Sequence, residues 1–181
     1  MEIIDTEIPD VKIIIPNIYG DKRGYFMETW NQKEFENKVT KRTTTFVQDN
    51  QSKSFKGILR GLHYQTKNTQ GKLVRVISGE VYDVAVDIRK DSSTFGMWVG
   101  VVLSADNKYQ LWVPEGFAHG FYVMSDEAEF VYKCTDYYNP QYENSIFWND
   151  KDLNIDWPII SDLIISEKDK QGLRLADSPL L

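Results

Sequence analysis

The feature that most narrows what this chain can become is its punctuation: short runs of β-favouring residues, each closed by Gly, Asn, Asp or Pro. Lys12–Ile15 stops at Pro16, and Tyr25–Trp30 follows the turn-like Gly20-Asp21-Lys22-Arg23-Gly24. Thr43–Val47, Ile58–Gln65, Lys72–Ser78 and Glu80–Ile88 come next, the last two adjoining through Gly79. Trp98–Leu103, Tyr109–Val113, Phe121–Met124 and Glu129–Cys134 follow at comparable spacing. Helices have little room. One is expected over Gln32–Lys38, with Asn31 as N-cap and Glu34 as its capping-box partner. A second begins near Ser166, where Asp169 has the same spacing. Many strands and few helices predict an all-β jelly roll or barrel-like sandwich, in which alternate strand residues can line a small-ligand cavity. With no internal repeat or low-complexity linker, residues 1–181 are expected to form a single domain.

Alternation is clearest in Val81–Asp87, which puts Asp83, Ala85 and Asp87 on one face and Tyr82, Val84 and Val86 on the other. Two carboxylates on one strand face imply either a wet surface or a polar cavity. The chain has only two histidines, His63 in Leu59-Arg60-Gly61-Leu62-His63-Tyr64-Gln65 and His119 in Pro114-Glu115-Gly116-Phe117-Ala118-His119-Gly120-Phe121. Histidine is the side chain best suited to move protons near neutral pH. In an extended run His63 and Gln65 share a face, and Lys72 opens the next strand after Gly71. A histidine base beside an ammonium can abstract a proton while the cation stabilises the charge left behind. A core histidine and a surface lysine are the other reading of the same residues. His119, after a turn-rich entry to a strand, reads equally as support for that turn. Tyr132, in Phe130–Cys134, reads as a packed strand tyrosine whose hydroxyl needs a partner.

Arg23, Glu28, Gln48, Asp49, Asn50 and Arg60 form a scattered polar set near strand ends. Two arginines with amide side chains suit a diphosphate and a nucleobase or sugar, and spacing alone equally allows solvated surface. No Gly-x-x-x-x-Gly-Lys-Ser/Thr loop or Gly-x-Gly-x-x-Gly fingerprint occurs, so nucleotide hydrolysis and dinucleotide redox chemistry have no support. Without a His-x-His pair there is no ordinary barrel metal site, and neither a metal nor a cofactor is expected. A formal charge of -6 argues against a general nucleic-acid binder. The lone Cys134 excludes an intramolecular disulfide and suits a reducing compartment as an inert buried thiol. The acidic first residues and the lack of any apolar run of about 20 residues point to a soluble cytoplasmic protein without a membrane partner.

Together these segments resemble the dTDP-4-dehydrorhamnose 3,5-epimerases, the metal-free cupin enzymes of dTDP-L-rhamnose synthesis. The resemblance rests on Gly20–Phe26 with Glu28, Phe46–Asn50, Leu59–Gln65, Gln70–Val74 and Val81–Arg89. It continues through Ser93–Gly96, Pro114–Phe121, Tyr132–Thr135, Trp148–Asp150 and Ser166–Asp169, in that order. It implies a cupin-type jelly roll (a double-stranded β-helix barrel), and a homodimer that exchanges N-terminal strands. The implied substrate is dTDP-4-dehydro-6-deoxy-D-glucose, epimerised at C3 and C5 to dTDP-4-dehydro-L-rhamnose. In that scheme His63 is the base and Asp169 its paired carboxylate, with Asp83 a rival for the pairing. Lys72 stabilises the enolate oxygen and Tyr132 returns a proton from the opposite face. The resemblance also assigns substrate binding to Arg23, Phe26, Glu28, Gln48, Asn50, Arg60, His119, Glu143 and Lys168, to which the polar set adds Asp49. The chain departs from the family's habit where Thr66–Thr69 and Ser92-Ser93-Thr94 lack prolines, and where Gly172 stands at a common proline position.

Overall fold

In the computed structural model, which describes residues 1–181, the β-favouring runs become fourteen strands. In chain order these are β1 (Glu2–Asp5), β2 (Lys12–Ile15), β3 (Ile18–Asp21), β4 (Gly24–Met27), β5 (Gln48–Phe55), β6 (Ile58–Gln65) and β7 (Lys72–Ser78). There follow β8 (Glu80–Asp87), β9 (Trp98–Ser104), β10 (Gln110–Val113), β11 (Phe117–Val123), β12 (Glu127–Cys134), β13 (Glu143–Ser145) and β14 (Ile164–Ile165). Two short helices, α1 (Gln32–Phe35) and α2 (Glu167–Lys170), lie outside the strands. One sheet runs β1-β2-β10-β7-β12-β5 and the other β13-β6-β11-β8-β9, with β14 added beside β6. Strands β3 and β4 form a separate hairpin. The result is an all-β jelly roll. No helix is long and apolar enough to cross a membrane.

Period-2 alternation sorts the side chains into three apolar layers. Between the sheets, Val74 and Val76 of β7, Leu111 of β10 and Phe130 of β12 meet Val81 and Ala85 of β8 and Phe121 of β11. Outside the first sheet, Phe35 and Val39 cover Ile14, Leu73 and Trp112. Outside the second, Ile146, Leu153, Trp157 and Leu175 of the C-terminal segment cover Leu59, Leu62, Val84, Val86 and Tyr122. At roughly 1.5–3 kcal/mol for each large apolar side chain removed from water, this outer cover is as much a part of the fold as the centre.

Several elements differ from their sequence-based expectation. Thr43–Val47 is irregular, and the strand starts at Gln48. Hydrophobic alternation fails there because the inward positions of β5 include Asn50 and Ser54, which are polar. The helix expected over Gln32–Lys38 is α-helical only to Phe35 and continues as a π-helical turn over Glu36–Thr40, ended by Lys41 in the left-handed region. Asn31 accepts from the Glu34 amide at 3.1 Å. The Glu34 carboxylate turns to Lys38 at 2.6 Å, which leaves the capping box half made. Strand β11 starts at Phe117, so His119 lies in mid-strand and not at a turn.

Asp83 and Asp87 share a face, as alternation requires, and that face is not wet: both are buried. The Asp87 carboxylate accepts from Ser92 and Thr94 hydroxyls at 2.6 Å each and from Arg89 Nη2 at 2.7 Å. Burial works to raise this carboxyl, and those bonds outweigh it, holding its pKa at about 2 against an ordinary 3.8. A depressed carboxylate stabilises the fold above its unfolded pKa and loses that contribution as pH falls through the folded value. Asp87→Asn should therefore cost about 2 kcal/mol near neutral pH, with the deficit closing between pH 4 and 2 as measured by denaturant titration. A deficit that does not change with pH would show that the charge is not what Asp87 contributes.

Candidate active site

Antiparallel pairing of β6 with β11 sets His63 opposite His119, yet Arg60 opposite Phe121, so β6 carries one extra residue between them. This bulge restores Arg60 to the side that faces the other sheet, where its Nε donates to Ser54 Oγ at 3.0 Å. Without it Arg60 and His63, an odd number apart, would point to opposite faces. The bulge needs two glycines. Gly61 has φ +115°, and a Cβ built on it would lie 2.6 Å from Gly120 Cα. A Cβ on Gly120 would lie 2.6 Å from the Arg60 carbonyl oxygen.

At the end of the inter-sheet space the strands open on a cleft of about 260 Å³. The second sheet contributes His63 and Gln65 from β6 and Glu143 from β13; the first contributes Gln48 and Asn50 from β5, Lys72 from β7 and Tyr132 from β12. His63 Nε2 lies 2.5 Å from Asp169 Oδ1. Its side chain is 30% exposed while that of Asp169 is 4% exposed, so the ring opens to solvent and the carboxylate is sealed behind it. Ser166 caps α2 by accepting from the Asp169 amide at 3.1 Å, and Asp169 Oδ2 accepts from the Gly61 amide at 3.4 Å. Burial pushes the Asp169 carboxyl up, and the bond and charge of His63 outweigh it, leaving it below its ordinary value. Gly172 lets the chain turn back close to Ile146 and Phe147, just beyond β13, since a Cβ there would lie 2.8 Å from the Phe147 amide nitrogen.

Asp83 is not the partner of His63. It accepts from His119 Nε2 at 2.9 and 3.0 Å, in a pair with side-chain exposures of 0% and 8%. The His119 ring also stacks on Phe130. Lys72 faces the cleft beside Cys134 and forms no ion pair. Burial drives its ammonium below the ordinary value, opposed by Cys134, Asp83 and Glu143. Burial raises the Tyr132 phenol, with Arg60 working the other way. Burial alone would raise Glu143, but bonds from Lys168 and Tyr138 bring it below its ordinary value. No three His, Cys, Asp or Glu side chains converge as a metal site would require.

Not every residue of the expected set meets here: Arg60 and Lys168 line a neighbouring groove with His63 and Asp169, and His119 is held against Asp83. Asp49, next to Gln48 and Asn50, points to the other face of β5, where it pairs with Lys133 at 2.8 Å beside Arg75. Arg23 and Phe26 lie on the β3–β4 hairpin, Arg23 paired with Asp21, and neither lines the cleft; Glu28, just beyond the hairpin, is exposed. Four cleft residues were missed from sequence: Tyr64, Gln65, Gln70 and Tyr138. Tyr138 is half exposed, and its hydroxyl donates to Glu143 Oε2 at 2.5 Å, which pushes the phenol up to about 12. An aromatic pair, Tyr137-Tyr138, in a loop otherwise rich in Asp and Asn was the available signal.

The family model described as dTDP-4-dehydrorhamnose 3,5-epimerase matches residues 5–177. The chain belongs to that family. It is 60% identical over 179 residues to a Shigella flexneri epimerase of this name, covering 98% of each chain. It is 59% identical over 172 residues to a Neisseria gonorrhoeae relative, covering 95% of this chain but only 52% of that protein. Among solved structures, the Legionella pneumophila dTDP-6-deoxy-D-glucose-3,5-epimerase in complex with dTDP-4-keto-L-rhamnose superposes with a TM-score of 0.95 at 56% identity. That match covers 97% of this chain and 93% of the Legionella chain. The epimerase fold thus accounts for both sheets and for the C-terminal segment that brings Asp169 to His63.

The close approach of β6 and β11 can be separated from backbone conformation alone. Gly61→Ala should cost about 2–3 kcal/mol in thermal or denaturant unfolding. Gly96→Ala, also at positive φ (+76°) but with its nearest neighbour 3.8 Å away, should cost only about 1 kcal/mol. Equal losses would mean that the bulge does not depend on backbone contact at Gly120.

Proposed function

We propose that the chain catalyses the 3,5-epimerisation of dTDP-4-dehydro-6-deoxy-D-glucose to dTDP-4-dehydro-L-rhamnose, a step of dTDP-L-rhamnose biosynthesis. The observation that carries the mechanism is the placement of His63 on one sheet and Tyr132 on the other, both lining one cleft with Lys72. Facing sheets stand about 10 Å apart, which leaves room for a sugar ring between a base and an acid. The C4 ketone acidifies the protons on C3 and C5. His63 takes one of these, and Asp169 stabilises the imidazolium that forms. The electron pair moves onto the C4 oxygen, where the Lys72 ammonium stabilises the enolate. Tyr132 then gives its phenolic proton to the other face of the same carbon. Its raised pKa keeps it protonated for that step. Proton loss from His63 and proton gain by Tyr132 restore both groups, so each inversion balances without a cofactor.

Gln48, Asn50, Arg60, His119, Glu143 and Lys168 are assigned to sugar and nucleotide binding. The active assembly in this reading is a homodimer. Support comes from the β3–β4 hairpin, where Ile18, Tyr19, Tyr25 and Phe26 are exposed, Phe26 by 70%. Arg23, Phe26 and Glu28 would then serve the cleft of the partner subunit, which fits their distance from their own.

Incubation with the substrate in deuterium oxide, followed by NMR, tests the reaction. Deuterium should enter at both C3 and C5, with a downstream reductase trapping the L-sugar. Label at one carbon alone would replace the assignment with a single-site epimerase, and no label with intact dTDP binding would replace it with a binding protein. His63→Ala should lower exchange at both carbons by about 100-fold or more while dTDP still binds. Undiminished exchange would remove His63 as the base. Tyr132→Phe should reduce product formation more than solvent exchange, and equal losses would end the division of labour between the two faces.

A further inference from the structure

Gln65 shares a strand face with His63 and lines the same cleft, yet the mechanism leaves it unused. Its side chain is buried, and every polar group it has is committed to backbone. Nε2 donates to the Asn68 carbonyl at 2.6 Å and to the Tyr137 carbonyl at 3.2 Å. Oε1 accepts from the Asn139 amide at 2.7 Å. None of these bonds reaches a reacting group. They grip instead the residues on either side of Tyr138, whose own amide donates to Gln48 Oε1 at 2.8 Å and whose hydroxyl donates to Glu143. A buried amide is costly unless its donors and acceptor are met, and when met it holds its partners in one arrangement.

We infer that Gln65 is a positioning residue: it fixes the Tyr137–Asn139 segment so that Tyr138 forms the wall of the cleft mouth. The kinetic part of this inference rests on the epimerase reading above. Gln65 ties that segment to the β6–β7 turn through Asn68, and Gln70 reinforces the tie by donating to the Asp136 carbonyl at 2.9 Å. The wall belongs to the strand that carries the base. Gln65 holds the segment on both sides of Tyr138, while Gln48 and Glu143 hold Tyr138 itself, so the wall depends on Gln65 for the backbone that presents it.

Gln65→Met keeps the length of the side chain and removes all three bonds. Hydrogen–deuterium exchange over residues 136–142 should speed up by about tenfold, and KM should rise by about tenfold with kcat changed by less than about threefold. In a Tyr138→Ala background the same substitution should change KM by less than about twofold, because the wall it supports is gone. Unchanged exchange over residues 136–142, a loss in kcat as large as the gain in KM, or an equal effect with and without Tyr138 would each overturn the inference. Should Gln65→Met fail to fold, Gln65→Glu carries the same comparisons, since it keeps the acceptor for Asn139 and turns the two donor contacts into repulsions. Wild-type protein without turnover would sink the epimerase reading, and the exchange measurement would still decide for or against Gln65.

Discussion

The hydrogen bond from His63 to Asp169 spans 106 residues of sequence, and the C-terminal part of the chain is arranged to permit it. A carboxylate this deeply buried persists only when donors surround it. His63 and the Gly61 amide are both on β6, so α2 has to dock beneath that strand. Parallel pairing of β14 with β6 starts the approach, and the Ile146–Leu173 bridge ends it. Trp157, Leu153 and Leu175, packed on the outer face of the second sheet, supply the apolar burial that keeps the segment there. The geometry of the His63–Asp169 pair and the hydrophobic cover are one construction in this protein.

The two histidines lie on directly paired strands, each with its own aspartate, and different burial separates the two pairs. Asp83 is fully buried and His119 keeps only 8% of its side chain exposed, its ring held by both carboxylate oxygens and stacked on Phe130. His63 keeps an open side toward the cleft with its carboxylate behind it. Lys72, facing the same space without an ion pair, leaves a cation uncommitted where negative charge would develop on a sugar carbonyl. Each histidine has its aspartate behind it, and Lys72 stands in front of His63 in the cleft.

Much of the barrel was legible because alternation survives wherever a strand face packs on apolar neighbours, as in β7 and β8. It was illegible in β5, whose inward residues line a cleft and so are polar, and in β13 and β14, which are too short to show a period. That same alternation, once β5 is placed, separates Asp49 from Gln48 and Asn50, a distinction that composition hid. The half-made capping box at Asn31 failed for a local reason, since Lys38 offered Glu34 a better partner one turn away. Residue chemistry alone offered His63 and Lys72 as a base and a cation but left a core histidine and a surface lysine open. The pairing of His63 with Asp169 came from family resemblance, because nothing in spacing links two residues so far apart. Tyr138 escaped because a loop aromatic has no periodicity to mark it.

The dependence of His63 on a residue near position 169 also gives the polypeptide a temporal order. A ribosome delivers β1 to β13 before the segment that contains α2, and these strands include both six-stranded sheets apart from the addition of β14. The strands that carry the cleft residues His63, Lys72 and Tyr132 are therefore all synthesised before the carboxylate that stands behind His63. Biosynthesis delivers the cleft strands first, and the His63–Asp169 pair can form only with α2 and its apolar cover.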